Sequence, residues 1–519
     1  MKDPILKLSG ITKRFGRVTA NGDISFGLGA GEIVALLGEN GAGKTTLMSI
    51  LFGHYLADEG KIEVFGNPLP PGSPRAALAC GIGMVHQHFT LADNMSVLDN
   101  IILGTESLLS PGSRRATARE KLTGLMDRFG LTVDPEAQVR DLSVGERQRV
   151  EILKVLYRDA RILILDEPTA VLTPQEADAL FETLGQLTDQ GLSVIFITHK
   201  MREVMAASDR CIVLRHGRVV FEAKTADTSP DELARAMVGA EIPRPERQLL
   251  TPGETVLSLE DISFCDRDAA LRRVNLNLRS REILGIAGVS GNGQGLLADL
   301  LSGLVSDFSG RFVLKGKPVT QNSPQALIRA GVGRVPDDRT GTGVIPDMSL
   351  MENLASEDYP AHSRWGLLNF KAMAARAKGL ISEFDVRCPS IHLPTRQLSG
   401  GNMQKLILAR ELSGKPGIIL ANQPTWGLDV GATAFVHTRL LEAAAQGAGV
   451  VVISEDLDEL FALADRIQVI HHGRLSAPMD ARTVDRAHLG LIMSGQAGFD
   501  TVCHMETGEN SAPHGKEGA

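Results

Sequence analysis

The sequence predicts an α/β protein made of two tandem copies of one domain, each built around a parallel β-sheet. The first observation is that short, β-branched apolar runs such as "RILILD" (161–166) and "LSVIFIT" (192–198) alternate with helical segments, which is typical of buried parallel strands. The second is repetition, because "GENGAGKT" (38–45) and "GVSGNGQG" (288–295) share the frame G-x-x-G-x-G at an offset of 250 residues.

Four further pairs of segments follow in the same order in both halves. At the offset of 250, "GIGMVHQ" (81–87) aligns with "GVGRVPD" (331–337); at an offset of 256, "LSVGE" (142–146) aligns with "LSGGN" (398–402), "LDEPT" (165–169) with "ANQPT" (421–425), and "DRCIVLRHGR" (209–218) with "DRIQVIHHGR" (465–474). The period is too long for a solenoid. We therefore predict domains at 1–240 and 257–496, a linker at 241–256 and a disordered tail at 497–519.

Composition excludes several classes of protein. The chain has 519 residues and a net charge of −8, which argues against a nucleic-acid partner because such proteins need a basic face. No uninterrupted apolar run approaches the ~18 residues of a membrane span, and the N-terminus lacks a signal-peptide core. The five cysteines are scattered without a CxxC pair, which argues against a disulfide framework or zinc site and fits a reducing cytosol.

The first glycine loop fits G-x-x-x-x-G-K-[ST], a phosphate-binding loop that opens a helix after a strand. Its glycines allow backbone N–H groups to surround a phosphate, Lys44 reaches the β- and γ-phosphates, and Thr45 ligates Mg²⁺. The predicted ATP contacts in this loop are Gly38, Glu39, Asn40, Gly41, Ala42, Gly43, Lys44, Thr45 and Thr46.

Two later motifs of the first copy fit the same chemistry. Asp166 ends an apolar strand in "ILILDEPT", where it can hold Mg²⁺, and Glu167 is placed to orient the attacking water as general base. In "LSVGERQRVEI", Ser143 and the following glycine begin a helix whose unpaired N-terminal amides make a second anion site.

The order of these motifs resembles the ATP-binding cassette superfamily over nearly the whole chain. The resemblance implies P-loop NTPase cassettes, each with a parallel-sheet core, a small antiparallel β part and a helical subdomain. It also implies that Gln87 touches Mg²⁺ and couples to a transmembrane partner, that His199 in "FITHK" is the switch histidine near the γ-phosphate, and that Phe15 in "ITKRFG" stacks on adenine.

The second copy has lost these groups but retains others. The substitutions at the two offsets are Lys44 to Gln294, Thr45 to Gly295, Gln87 to Asp337, Phe15 to Cys265, Asp166 to Asn422, Glu167 to Gln423 and His199 to Glu455. Its signature, Ser399, Gly400 and Gly401, has the full Gly-Gly pair where the first copy has Val144, and it keeps Asp429 where the first has Thr173.

In the family that this chain resembles, two cassettes pack head to tail, and each nucleotide lies between the loop of one and the signature of the other. The resemblance therefore predicts an intramolecular cassette pseudo-dimer with one competent ATP site, formed by the Lys44 loop and the Ser399 signature, and one crippled site.

The fused pair is similar to importer ATPases for simple sugars such as ribose, galactose or xylose. Finer strings, "EPTAVLTPQE" (167–176), "NQPTWGLDVGA" (422–432) and "SEDLDEL" (454–460), resemble ATPases of nucleoside importers that use basic-membrane-protein-type binding proteins. The resemblance implies integral-membrane permease subunits, an extracytoplasmic solute-binding protein, and a peripheral position on the cytoplasmic face of the plasma membrane.

A third class, the soluble tandem cassettes that act on ribosomes, shares the duplication. Those proteins usually keep both phosphate loops and join their halves by a long, charged helical linker. This chain has a short, proline-containing linker and one degraded phosphate loop, which favours an importer ATPase over a ribosome-associated protein.

Overall fold

The computed structural model describes residues 4–16, 18–86, 89–105, 115–169, 172, 174–198, 200–239, 250–266, 269–289, 291–365 and 367–495. Two predicted site residues, Gln87 and His199, lie outside the described residues, as do 241–249 of the predicted linker and the predicted tail. The first strand of the second cassette begins at Thr255, two residues before the predicted start of that domain at 257.

The first cassette combines two sheets with helices. Its strands are β1 (Leu6–Phe15), β2 (Val18–Leu28), β3 (Ile33–Gly38), β4 (Glu59–Val64), β5 (Asn67–Pro68), β6 (Ile82–Val85), β7 (Ile162–Asp166), β8 (Ser193–Ile197), β9 (Arg210–Arg215) and β10 (Arg218–Lys224). Its helices are α1 (Lys44–Phe52), α2 (Pro74–Ala79), α3 (Val97–Ile102), α4 (Arg115–Phe129), α5 (Val144–Leu156), α6 (Pro174–Asp189), α7 (Met201–Ala207) and α8 (Pro230–Val238).

The second cassette repeats this arrangement. Its strands are β11 (Thr255–Asp266), β12 (Ala269–Arg279), β13 (Ile283–Ala287), β14 (Ser309–Leu314), β15 (Lys317–Pro318), β16 (Val332–Val335), β17 (Ser363–Arg364), β18 (Leu367–Leu368), β19 (Ile418–Asn422), β20 (Gly449–Ser454), β21 (Arg466–His471), β22 (Arg474–Leu475) and β23 (Met479–Asp480). Its helices are α9 (Gln294–Leu301), α10 (Pro324–Arg329), α11 (Leu350–Ala355), α12 (Phe370–Glu383), α13 (Gly400–Ser413), α14 (Val430–Ala445), α15 (Leu457–Leu463) and α16 (Arg486–Met493).

Sheet topology confirms the duplicated fold. The core strand order is β6-β7-β8-β3-β9-β10 in the first cassette and β16-β19-β20-β13-β21-β22 in the second, with β23 beside β21. The four neighbouring pairs from β6 to β9, and the four from β16 to β21, are parallel. Separate antiparallel sheets have the orders β2-β1-β4-β5 and β12-β11-β14-β15, and α3–α5 and α11–α13 pack into two helical subdomains.

Each core sheet is covered on both faces, which explains why its strands are continuously apolar. In β3, Ile33, Ala35 and Leu37 pack with the helical side of the cassette, whereas Val34 and Leu36 pack with the antiparallel sheet. All six residues of β3 are buried. This burial fixes the position from which the phosphate loop leaves the sheet.

The six additional residues of the second copy fall at two places. Ser96 caps α3, the helix after β6, and Ser349 caps α11, the helix after β16; their offset is 253. Three residues are therefore inserted before α11 and three between α11 and α13. The first insertion adjoins a wide, π-helical turn at Arg339–Gly343, where the Asp338 carboxylate accepts the N–H groups of Thr340 and Gly341.

Among the described residues, the helices are too short or too polar to span a membrane.

Candidate active site

The phosphate loop of the first cassette is held tightly between β3 and α1. A Cβ atom on Gly43, whose φ is +99°, would lie 2.2 Å from the carbonyl oxygen of Ala20, so only glycine fits there. The Lys44 ammonium donates to the carbonyl oxygens of Gly38 at 2.7 Å and Glu39 at 3.1 Å. The side chain is 7% exposed, so its charge is directed into the loop.

Four carboxylates surround this lysine. Burial lowers the pKa of Lys44, and the carboxylates of Glu167, Asp166, Glu39 and Asp429 oppose that shift. Asp166 is 8% exposed, and burial together with Glu167 raises its pKa to about 6 despite Lys44. Negative charge therefore exceeds positive charge here, as expected of a place that takes a further cation.

The oxygen donors present suit Mg²⁺. Asp166 ends β7 with its carboxylate near the Lys44 ammonium, and Thr45 follows that lysine in α1 with an exposed side chain. Carboxylate and hydroxyl oxygens are the ligands that Mg²⁺ prefers. The surplus of negative charge and this donor set fit the predicted metal.

The residue predicted as general base has a constrained backbone. Glu167 lies in the left-handed region at φ +46°, and its N–H donates to the carbonyl of Ile197 in the neighbouring strand at 3.0 Å. Gln423 repeats both features, with φ +46° and a 2.8 Å bond to Ile453. A non-glycine residue in this region costs about 1–3 kcal/mol, so the turn that aims this side chain persists even where the carboxylate has been replaced.

Phe15 has the surroundings expected of a stacking residue. It ends β1 with 45% of its surface exposed, its ring contacts Tyr55 edge to face at 5.6 Å, and the Lys13 ammonium lies 5.4 Å from its centroid. An exposed aromatic face beside a fixed cation can accept a planar base.

Asn21 supports the phosphate loop and was not identified from the motifs. It is fully buried, and its amide donates to the carbonyl of Gly43 at 3.0 Å. At the offset of 250 its counterpart is Leu271, which cannot make this bond. The loss of this asparagine in the second copy was the available signal.

A buried glutamate connects two loops of the site. The Glu203 carboxylate accepts hydrogen bonds from the hydroxyls of Thr169, which follows "LDEP", and Thr198, which precedes the predicted switch position. The backbone N–H of Lys200 in turn donates to the Thr198 hydroxyl at 3.1 Å. Through Glu203, Thr198 and Lys200 on either side of position 199 are therefore connected to Thr169 in the loop after Asp166.

The second cassette keeps this connection although its motifs are degraded. Glu459 accepts from Thr425 at 2.8 Å and from Ser454 at 2.6 Å. Glu203 and Glu459 are related by the offset of 256, so the repeat contained the signal. The retained glutamate maintains the fold of both loops independently of the chemistry.

The second glycine loop keeps its shape but replaces the cation. Gln294 donates to the carbonyl of Val289 at 2.6 Å, and its Oε1 accepts the N–H of Asn292 at 3.1 Å. The neutral amide therefore occupies a loop N–H group that a phosphate oxygen would otherwise bind. Gly291 and Gly293 still have positive φ, so the loss is one of charge and available donors.

The two signature helices begin differently. Ser143 and Glu146 form a capping box at α5, in which the Glu146 carboxylate accepts from both the N–H and the hydroxyl of Ser143, at 2.8 and 2.7 Å. At α13, Ser399 instead accepts from the side-chain amide of Asn402 at 3.0 Å. Among the residues that the structure describes, the Ser399 hydroxyl donates to no acceptor, whereas that of Ser143 donates to a carboxylate.

The phosphate loop of the first cassette contacts the segment 427–431 of the second. The Asn40 amide donates to the carbonyl of Gly427 at 2.5 Å. The carboxylate of Asp429 raises the pKa of Glu39, second to burial, and Val430 packs against the core of the first cassette. Asp429 also caps α14 through the N–H of Ala432, which gives its retention a structural reason that the sequence interpretation did not include.

A cavity of about 980 Å³ separates other parts of the cassettes. Glu167 and Lys200 line it from the first cassette, and Gln423, Trp426 and Glu455 line it from the second. The base position of the first cassette and its degenerate counterpart therefore face the same cleft.

Comparison with known proteins gives a family and close relatives. The family model described as ABC transporter matches residues 22–170 and 271–426. A glucose import ATP-binding protein of Haloferax volcanii is 43% identical, covering 95% of this chain and 96% of that protein. A nucleoside import ATP-binding protein of Lactococcus lactis subsp. cremoris is 42% identical, covering 95% and 98%.

One solved structure is similar in fold over both domains. An archaeal ribosome recycling factor, crystallised with a ribosomal stalk protein, has a TM-score of 0.60 with this chain, covering 91% of this chain and 90% of its own at 18% identity. At that identity the likeness shows the fold alone.

Proposed function

Because the chain belongs to the ABC transporter family, we propose that it is the ATP-hydrolysing subunit of an importer for a nucleoside or a simple sugar. The relatives named for glucose import and nucleoside import are 43% and 42% identical over nearly the full chain. The observation that carries the proposal is the contact between the intact phosphate loop, through Asn40, and Gly427 of the other cassette.

We propose one composite ATP site between the loop of the first cassette and the signature of the second. The loop residues 38–46 hold the phosphates, Phe15 stacks on adenine, and Ser399, Gly400 and Gly401 cap the γ-phosphate. Two observations support this pairing: Asn40 bonds to the second cassette, and the Ser399 hydroxyl is not committed to a carboxylate.

In this site Glu167 orients a water and accepts its proton as the oxygen attacks the γ-phosphorus, the β–γ bridge breaks, and ADP and phosphate result. The left-handed turn and its bond to Ile197 hold the carboxylate at the end of β7. His199 contacts the γ-phosphate in this proposal. Mg²⁺, held by Thr45, Asp166 and Gln87, supplies charge neutralisation of the phosphates when bound.

We propose that the second phosphate loop does not hydrolyse ATP. Gln294 supplies no positive charge and uses the N–H of Asn292 internally. The capping box of Glu146 places a carboxylate beside the opposing signature, where it would repel a γ-phosphate.

The proposed partners are integral-membrane permease subunits and, through them, an extracytoplasmic solute-binding protein; nucleic acid is not among them. In this proposal the chain lies on the cytoplasmic face of the plasma membrane. The strings at 167–176, 422–432 and 454–460 favour a nucleoside over a monosaccharide.

Uptake in reconstituted vesicles tests the proposal. The full chain is assembled with the permease subunits and binding protein encoded beside it, and uptake of labelled nucleosides, ribose, glucose and xylose is measured with internal ATP and Mg²⁺. We expect nucleoside uptake and its loss in Lys44→Ala, with Lys7→Ala, an exposed lysine of β1, as control. Monosaccharide uptake alone would establish the second candidate, and uptake that survives Lys44→Ala would contradict the proposal.

A further inference from the structure

Arg339 begins the helical turn 339–343, beside the three-residue insertion of the second cassette, and joins two parts of the proposed site. Its Nε donates to the side-chain oxygen of Gln404 in α13 at 2.9 Å. Its Nη2 donates to the carbonyl oxygen of Trp426, the residue before Gly427. The guanidinium thus connects the signature helix with the segment that meets the phosphate loop of the first cassette.

The remaining nitrogen of this guanidinium lies beside the signature. Nη1 is 3.7 Å from the place where a Cβ on Gly400 would be, and Gly400 is the first residue of α13. Because Gly400 has no side chain, nothing from that residue separates Nη1 from the start of the helix. Within the described residues Nη1 has no hydrogen-bond partner.

The surroundings of Arg339 contain donors and positive potential but no matching anion. Among the described residues no carboxylate oxygen lies within 4 Å of its guanidinium, and burial alone lowers the pKa of Arg339. Ser399 is the N-cap of α13 and directly precedes Gly400, so its hydroxyl and the first amides of the helix lie close to the same place. A partly buried cation without a counter-ion is costly, and a phosphate with several oxygens would satisfy all of these donors.

The tertiary setting of this arginine is specific to the second cassette. At the offset of 250 its counterpart is Phe89, which carries no charge. The Asp338 carboxylate fixes the inserted turn by accepting the N–H groups of Thr340 and Gly341 at 3.0 and 2.9 Å. An arginine therefore lies beside the signature of the second cassette, at Ser399. The signature of the first cassette, where Glu146 binds the Ser143 hydroxyl, has no arginine at the equivalent position.

We propose that Arg339 is a phosphate-binding residue of the composite site, with Nη1 donating to a γ-phosphate oxygen of ATP while Nε and Nη2 stay anchored to Gln404 and Trp426. The inference rests on the proposed function and extends it by naming the residue that distinguishes ATP from ADP on the signature side. The same anchors give Arg339 a second consequence, because they orient the segment whose Gly427 carbonyl accepts from Asn40.

Equilibrium binding of ATP and ADP with Mg²⁺ to the full-length chain tests this role. Glu167→Gln serves as the background so that ATP is not consumed. We expect Arg339→Gln to weaken ATP binding about tenfold, as for one lost charge-assisted hydrogen bond, and to leave ADP binding within about twofold. Arg339→Lys should retain part of the ATP preference because it keeps the charge.

The control is Arg311→Gln, which removes an exposed arginine of β14 whose ion-pair partner is Glu260; both affinities should stay unchanged. Equal loss of ATP binding in the Gln and Lys variants would overturn the phosphate contact, since only the bidentate anchoring would then matter. Equal weakening of ATP and ADP would overturn it as well. Failure of the proposed function would give a different result. In that case the Glu167→Gln chain with Arg339 intact would bind ATP no better than the same chain carrying Lys44→Ala.

Discussion

Lys44 and Gln294 occupy the same place in two glycine loops of similar backbone shape, and their chemistry separates the loops. The ammonium of Lys44 lies among the carboxylates of Glu167, Asp166 and Glu39. Among the described residues, the amide of Gln294 instead bonds within its own loop. An exchange of lysine for glutamine removes the positive charge that would bind the phosphate but does not disturb the fold, because both side chains are buried and hydrogen-bonded.

At the same scale, Glu167→Gln should abolish hydrolysis while ATP still binds. The amide keeps the shape of the turn at φ +46°, since Gln423 already adopts it, but it cannot accept a proton. We expect permease-stimulated turnover to fall by about 10²–10⁴-fold, measured as phosphate release, with ATP affinity retained.

The matched control restores a carboxylate at the equivalent place in the second cassette. Gln423→Glu should give no gain in turnover, because Gln294 and Gly295 still lack the cation and the hydroxyl. Turnover near that of the unmodified chain in Glu167→Gln would show that another group is the base.

At the scale of elements, the N-termini of α5 and α13 differ in charge although their sequences align. Glu146 forms a capping box at the N-terminus of α5. The equivalent residue at α13 is the neutral Asn402, whose side-chain oxygen accepts the N–H of Arg387 at 2.8 Å. A carboxylate at a helix N-terminus stabilises the helix and repels a second anion. Stability and ATP binding therefore make opposite demands on this position.

This opposition predicts that Asn402→Glu separates stability from activity. A capping box at α13 should stabilise the chain by up to about 1 kcal/mol, whereas ATP hydrolysis should fall at least about tenfold, because the new carboxylate faces the γ-phosphate and engages the Ser399 hydroxyl. Thermal unfolding and phosphate release measure the two effects. Glu146→Asn is the mirror control, with a small loss of stability and nearly unchanged hydrolysis; unaltered hydrolysis in Asn402→Glu would contradict the proposed role of α13.

A bulky residue in place of either N-cap serine tests whether the Lys44 loop pairs with the Ser399 signature. Ser399→Arg should abolish permease-stimulated hydrolysis, because a large side chain would fill the space over the ATP held by Lys44. Ser143→Arg faces the loop of Gln294, so hydrolysis should fall less. Equal losses would mean that both sites must close for turnover, and the reverse order would refute the composite site.

At the scale of the whole molecule, the cassettes meet through unlike surfaces. Asn40 of the first bonds to Gly427 of the second, and Val430 packs on the first cassette's core. A cavity remains where Glu167 faces Gln423 and other residues of the second cassette. In the proposed composite site, duplication followed by unequal change leaves one chain in which each half supplies what the other lacks.

The proposed importer assembly predicts where the intact chain is found in cells. Co-expression with the permease subunits should move most of the chain into the membrane fraction, and high salt should leave it there if packing rather than charge holds it. Expression without the permease is the control and should leave the membrane fraction without the chain. Sedimentation with ribosomes in both cases would instead support a translation role.

The sequence by itself determined the class of the protein. Hydrophobic runs and glycine loops are local signals, so the α/β elements, the duplication and the ABC-type cassettes could be predicted, and topology and family membership confirm them. The roles of Gln87, His199 and the other site residues stay predictions, as do the domain limits.

Only the tertiary structure revealed the contacts that connect distant segments. Asn21 in β2 donates to Gly43 in the loop after β3, Arg339 reaches Trp426 in a later loop, and Asn40 meets Gly427 across the two cassettes. Such hydrogen bonds depend on how sheets and helices pack in space, and no local periodicity encodes them. The sequence thus specified which chemistry each loop could perform, while packing decided which residues of the other segments stand beside it.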